Sequence, residues 1–181
     1  MVKVYLKIFL MTAVVFFLAM FFSNMTTMRL KLALVDAGVR GVLFGIGMSA
    51  LLGTLHIMRV RKKAGEYDTG DIYSTTQLRE LKCRLPYDRV FSLMGHYLKE
   101  VAGFTVTLAD QEAGRLEARS GLSFASTFGN KVTVTLRKAE EEATEVTITS
   151  RPLLFSILAD YGESLAIAGE AAAFLRGSEQ R

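Results

Sequence analysis

Residues able to do chemistry are thinly spread in this chain. Asp68-Thr69-Gly70 is the tripeptide in which aspartic proteases carry a catalytic carboxylate. Such an aspartate sits in a loop between apolar strands and shares one proton with a second aspartate. Here Glu66 and Tyr67 precede the tripeptide, Asp71 and Ile72 follow it, and no apolar strand leads in. A protease is therefore not expected. Glu66, Asp68 and Asp71 supply three carboxylates in six residues, but a calcium ion takes roughly six to eight oxygens, and no further ligands cluster nearby. Cys83 is the sole cysteine, so no intramolecular disulfide can form, and a lone thiol suits a reducing compartment. With His56 and His96 it makes no zinc-ligand spacing. His96 falls beside Ser92, Lys99 and Glu100 on the polar side of its helix, where a solvated imidazole is expected. No nucleophile–base pair and no phosphate-cradling glycine loop is present. The expectation is a non-enzymatic protein that needs neither cofactor nor metal.

The elements that carry these residues are led by an apolar one. Gly41 to Met58 runs eighteen residues without a formal charge, enough to cross a hydrocarbon core of roughly 30 Å as a helix. Within and just before it, Ala37, Gly41, Gly45, Ser49 and Gly53 recur every fourth position, a glycine-zipper pattern on one narrow face. Small residues let a second helix approach closely, and in lipid such packing drives association. Val4 to Phe22 is the other spanning segment; its apolar run exceeds a signal-peptide core, and no A-x-A cleavage site follows it. Between the spans, Met25, Met28, Leu32 and Val35 share one helical face while Arg29, Lys31 and Asp36 lie elsewhere. This predicts a short interfacial helix over 23–40 or, more plainly, an extension of the second span.

Charge divides the chain in the same place. Residues 1–63 carry nine Lys/Arg and one acid, a net of +8; residues 64–181 carry thirteen Lys/Arg and seventeen acids, a net of −4. The basic balance thus belongs to the membrane flanks. Nucleic acid is not an expected partner, because phosphate binding needs concentrated positive charge on the binding domain. Arg59, Arg61, Lys62 and Lys63 follow the second span. With Lys3 and Lys7 they outnumber Arg29, Lys31 and Arg40 on the other side, which places both termini in the cytoplasm of a bacterial inner membrane. The same four cations are candidates for contact with anionic lipid.

A polar linker, residues 64–76, leads into an α+β domain at 77–177. Leu81, Cys83 and Leu85 alternate with Glu80, Lys82 and Arg84 as a half-buried strand. Pro86 opens a helix carrying Val90, Met94, Tyr97, Leu98 and Val101. Four more strands follow, through Phe104–Leu108, Leu116–Ala118, Val132–Leu136 and Val146–Ile148, the last ended by Pro152. Gly162 to Leu175 predicts a terminal helix with Gly177 as its C-cap. The order β-α-β-β-β-β-α predicts an antiparallel sheet with its helices on one face.

That order resembles the TATA-binding-protein-like and helix-grip arrangements over about residues 78–176. Helix-grip members often hold an apolar ligand between sheet and helix, which would make Phe104, Leu116, Phe124, Val134, Ile148 and Leu165 pocket walls. The alternative is that these side chains fill the core of a small domain. Two local stretches stand out: Ser123 to Asn130, which joins two strands, and Ser150-Arg151-Pro152 followed by Asp160-Tyr161-Gly162. With the paired spans they resemble a group of small uncharacterised bacterial membrane proteins, and depart from it at Glu163-Ser164. Physically, Asp160 can cap the last helix, Gly162 can supply a positive φ, and Arg151 can pair with Asp160.

Three functions follow as expectations. The first is a membrane-anchored scaffold that docks a second copy or another membrane protein on the small-residue stripe and presents an acidic domain. The second is a tethered domain that binds a lipid or other apolar molecule. The third is a subunit of an oligomeric pore, disfavoured because Lys7 and His56 are the only ionisable groups in the spans.

Overall fold

Apolar side chains occupy every face of the first helix, α1 (Val2–Asn24), and the second, α2 (Leu30–Ala64), carries no formal charge from Gly41 to Met58. The computed structural model describes residues 1–64, 72–121, 129–140, 142–154 and 159–180. Both helices are long and apolar enough to cross a membrane. Only Met25–Arg29 separate them, so residues 30–40 are the opening turns of α2 and not an interfacial helix of their own. No proline breaks that stretch, and the Arg40–Asp36 ion pair, four residues apart at 2.9 Å, supports it. The turn closes where the Asn24 carbonyl accepts the amides of Thr27 and Met28. Arg61, Lys62 and Lys63 occupy the last turn of α2, the favourable end of the helix dipole for cations.

The chain divides into two compact units, Met1–Arg59 and Val60–Arg181. In the second, β1 (Gln77–Cys83) is followed by α3 (Tyr87–His96), which passes into a π turn over Tyr97–Val101. Then come β2 (Thr105–Asp110), β3 (Arg115–Arg119), β4 (Asn130–Glu140), β5 (Ala143–Pro152) and α4 (Glu163–Glu179). The five strands form one antiparallel sheet in the order β1-β5-β4-β3-β2. Strands β2 to β5 meander from neighbour to neighbour, whereas α3 and its π turn carry the chain from one edge of the sheet to the other. The β-α-β-β-β-β-α order read from the sequence is the observed one. Strands β4 and β5 run longer than the apolar alternation that signals them, because their ladder continues through polar pairs such as Arg137↔Glu145.

Alternation decides what the sheet buries. Even-numbered residues of β3, β4 and β5 and odd-numbered residues of β1 face α3 and α4. Cys83, Val90, Met94, Leu98, Leu116, Ala118, Val132, Val134, Ile148, Ala168 and Leu175 form an apolar core there. Gly177 is not the C-cap. It lies inside α4 at an ordinary negative φ, and the helix continues to Glu179, whose carboxylate accepts the Arg84 amide of the strand end beneath it. That tertiary anchor outweighs the stop signal of a single glycine. Glycine is required at 114, in the β2–β3 turn. There φ is +65°, and a β-carbon would collide with the Leu136 carbonyl oxygen, which lies nearer than any real carbon contact.

Candidate functional site

The described residues of the stretches singled out in the sequence converge on one end of the sheet. Asn130 opens β4, Ser150 lies near the end of β5, and Asp160-Tyr161-Gly162 lead into α4, whose first turn holds Ser164. Strand parity sends Asn130 and Ser150 inward, the same way as Val132, Val134, Val146 and Ile148. Gln77 of β1 stands opposite Ser150 in the ladder. All five polar side chains, those of Gln77, Asn130, Ser150, Asp160 and Ser164, are buried. Such burial costs free energy unless partners are supplied.

Most of these partners are local. Asp160 accepts the Gly162 amide on Oδ1 and the Ser164 amide on Oδ2, each at 3.1 Å, which satisfies amides that the start of a helix otherwise leaves orphaned. The geometry requires successive left-handed residues, Tyr161 at φ +52° and Gly162 at +76°. Ser164 Oγ donates to Asn130 Oδ1 at 3.1 Å, and Gln77 Nε2 donates to the Ser74 carbonyl at 2.7 Å. Ser150 Oγ is buried with no partner among the described residues. Arg151 points the other way, to the outer face, and no ion pair joins it to Asp160 among the described residues; the expected Arg151–Asp160 pair is absent because Asp160 is committed to the helix. The serine that is hydrogen-bonded here faces a carboxamide, which cannot take its proton. The cluster fixes the helix start to the sheet.

The small-residue stripe has an occupant in the same chain. Built at Gly45, a β-carbon would lie 2.7 Å from Ala13 Cβ and 3.0 Å from the Phe9 ring. At Gly41 it would lie 3.0 Å from the Ala13 carbonyl oxygen and Phe17 Cβ, and at Gly53 2.6 Å from the Tyr5 ring. Ser49 Oγ donates to the Tyr5 carbonyl at 2.8 Å, and Ala37 is buried. The stripe thus lets α1 close against α2. Phe16 stacks on Phe44 at 4.2 Å, and Asn24 Nδ2 donates to Asp36 Oδ2 at 2.8 Å where the hairpin turns. Arg59, Arg61, Lys62 and Lys63 stand on the last two turns of α2, and Arg61 Nε donates to the Tyr73 hydroxyl at 3.2 Å.

Of the six proposed pocket walls, Leu116, Val134 and Ile148 pack together in the core, with Phe104 half-buried against it. Leu165 is buried in the first turns of α4. Phe124 lies outside the described residues, as do Asp68-Thr69-Gly70 and the rest of Ser123–Phe128. His96 is exposed at the end of α3. Cys83 is wholly buried, and burial, reinforced by the nearby Glu179 carboxylate, pushes its thiol up to about 11. Arg79, inward-facing on β1, has one guanidinium nitrogen buried without a partner among the described residues; burial and the nearby Arg176 lower its affinity for the proton. Among the described residues no group of three His, Cys, Asp or Glu side chains is placed to hold a metal ion.

Sequence reasoning missed the Asn130–Ser164 bond and the Asn24–Asp36 bond. The first had a usable signal. Asn130 shares the parity of Val132, Val134 and Leu136, so a buried amide, and hence a partner, was readable from the strand itself.

No protein-family model and no curated protein matches the chain. Among solved structures, an uncharacterised protein from Bacillus thuringiensis aligns with 59% of this chain and 99% of its own, at 9% identity and a TM-score of 0.44. A solution structure from Thermobifida fusca covers 57% of this chain and 95% of its own, at 14% identity and a TM-score of 0.35. A crystal structure of a Thermus thermophilus protein covers 57% and 99%, at 16% identity and a TM-score of 0.29. Likeness of this degree says nothing of activity.

Proposed function

We propose that this chain is a membrane-anchored, non-enzymatic interaction module. Helices α1 and α2 are two spans of a bacterial inner membrane, and the acidic α+β domain is presented on the cytoplasmic side. The supporting observation is where the hairpin keeps its apolar surface. Its small residues are consumed by the contact between the helices. Leu6, Leu10, Val14 and Leu18 of α1 and Val39, Leu43, Ile46 and Leu51 of α2 all point outward and are exposed. A continuous outward apolar belt of this kind calls for a partner or a membrane. Its height suits a bilayer: Arg40 and Arg59 bracket nineteen residue steps, about 28 Å of helix at 1.5 Å each, against a hydrocarbon core of roughly 30 Å. Asn24 and Arg40 both donate to the Asp36 carboxylate just beyond one end. The basic run lies beyond the other, which by the positive-inside rule is the cytoplasmic end.

The hairpin's own closure uses the stripe, so association with partners falls to the domain and to the outward helix faces. Two measurements test the reading. An alkaline carbonate wash should leave the full chain in the membrane fraction, and a reporter enzyme active only in the periplasm should stay silent when fused behind Arg181. Release by carbonate would remove the anchor, and an active reporter would reverse the orientation.

A further inference from the structure

The outer face of the sheet, away from α3 and α4, carries its charges in rows set by strand register. Arg119 of β3 is paired with Lys131 of β4, and Lys131 with Arg151 of β5, so three cations stand side by side on adjacent strands. Neighbouring strands are about 4.8 Å apart, and like charges directly opposite destabilise a sheet. Only the middle cation is compensated: Lys131 Nζ lies 2.8 Å from Glu117 Oε2. Among the described residues no carboxylate lies within ion-pair distance of Arg119 or Arg151, and both are exposed. Folding therefore retains an unfavourable arrangement that an external anion would relieve. Other outer-face acids are remote, Asp110 included, which stands opposite Arg115 in the same row as Glu80. Glu80 stands two steps of the pleat away and Glu145 three, about 14 and 20 Å at 3.4 Å per residue, beyond a Debye length of roughly 8 Å.

Apolar side chains accompany the row. In the next row, Leu108 stands opposite Glu117 on one edge strand and Leu78 opposite Thr149 on the other. Leu154 lies two residues past the end of β5. These leucines are 40%, 52% and 48% exposed, and with Val101 they are the large exposed apolar side chains described in this unit. Cations beside exposed leucines are what a surface needs to rest among headgroups.

Topology adds the third argument. The row lies at the end of the sheet where β1 begins, since Arg151 follows Ser150, the ladder partner of Gln77. Twelve residues join Gln77 to the end of α2 at Ala64. Even fully extended they reach about 45 Å, so a domain tethered to an inserted α2 keeps this end within reach of the bilayer. We infer that Arg119, Lys131 and Arg151, with Leu78, Leu108 and Leu154, form a docking surface for anionic phospholipid headgroups. The inference rests on the membrane reading above and adds to it a second, sheet-borne contact, separate from the basic end of α2.

The test uses the full chain reconstituted in phosphatidylcholine vesicles with and without about a third phosphatidylglycerol. A nitroxide on Thr133→Cys, which lies between Glu117 and Thr149 on the outer face, reports access by a water-soluble nickel relaxant; buried Cys83 does not compete for the label. Access should fall several-fold when the anionic lipid is present. Arg119→Gln with Arg151→Gln should reverse this, weakening the docked state by about fivefold per cation removed. Glu117→Gln, which frees both Lys131 and its other ion-pair partner, Arg115, should deepen the protection, whereas a merely structural row predicts no gain. Equal access in both vesicles overturns the inference. So does protection produced in pure phosphatidylcholine by soluble inorganic phosphate or by an oligonucleotide, which would assign the row to a soluble anion. Carbonate extraction of the same samples separates the two failures: a chain that stays in the membrane but shows no lipid-dependent protection loses the docking surface and keeps the anchor. If the chain is extracted, flotation with the two vesicle types tests the surface alone, and only preferential flotation with the anionic vesicles upholds it.

Discussion

Ser164 Oγ donates to Asn130 Oδ1 at 3.1 Å with both side chains wholly out of solvent. This single bond joins the first turn of α4 to the first residue of β4, thirty-four positions earlier. Removing one partner leaves the other buried and unsatisfied, at a cost of about 1–3 kcal/mol. Asn130→Ala and Asp160→Ala are both expected to destabilise the domain by that order. They should differ in where the loss appears. Hydrogen exchange at the amides of 162–166 should speed up most in Asp160→Ala, since Asp160 holds the Gly162 and Ser164 amides directly.

Cys83 supplies a built-in probe of the domain's integrity. Its thiol is wholly buried and its pKa is raised from 9.0 to about 11, chiefly by loss of hydration. A maleimide at pH 8 should therefore leave the folded protein unlabelled and react as the domain unfolds. The sign of the linkage follows from the native state holding the proton more tightly. The thiol's contribution to stability is complete below pH 9.0 and is lost as pH rises toward about 11. Unfolding followed by Cys83 labelling in a pH series should show that decline, and Cys83→Ala should lack this part of it.

Two glycines on α2 separate packing from composition. A side chain at Gly45 would run into Ala13 and Phe9, whereas nothing lies within 4 Å of a β-carbon at Gly47. Gly45→Leu should open the hairpin at a cost of about 1–3 kcal/mol, typical of overpacking. Gly47→Leu should change it by less than about 0.5 kcal/mol. Detergent titration of the full chain, read by energy transfer between dyes on the two helices, checks the difference. Equal effects would mean that the stripe is not where the helices meet.

The element order was legible because alternation and helical spacing report a residue's surroundings, and these elements have one wet face and one dry. Cys83, Leu116, Val134 and Ile148 were readable as inward residues for that reason. The small-residue stripe was equally plain, but spacing describes a face and not its occupant; only the fold shows Tyr5, Phe9 and Ala13 on it. Met25, Met28, Leu32 and Val35 suggested a separate interfacial helix because their periodicity is compatible with two helices or one. Gly177 pointed to a cap that the Arg84–Glu179 bond overrides. The cation row was invisible for a different reason. Arg119, Lys131 and Arg151 are distant in sequence, and no local pattern gives the register that aligns them.

Glycine in the turn and glycine in the helix should respond to alanine with opposite signs. Gly114 has φ +65°, its carbonyl accepts the Leu136 amide at 2.8 Å, and a β-carbon there would strike the Leu136 carbonyl and come within 2.8 Å of the Tyr87 hydroxyl. The Tyr87 hydroxyl is itself engaged with the Gln111 carbonyl, so it does not move aside freely. Gly114→Ala therefore combines backbone strain with a clash against main chain, and should destabilise by more than about 1 kcal/mol. Gly95 lies inside α3, with nothing within 4 Å of a β-carbon and an ordinary φ. Gly95→Ala reduces the entropy lost on folding and should stabilise by up to about 1 kcal/mol. Guanidinium unfolding at fixed detergent, followed by Cys83 labelling, reads both variants on one scale. A stabilised Gly114→Ala would mean that the β2–β3 turn does not hold the conformation described.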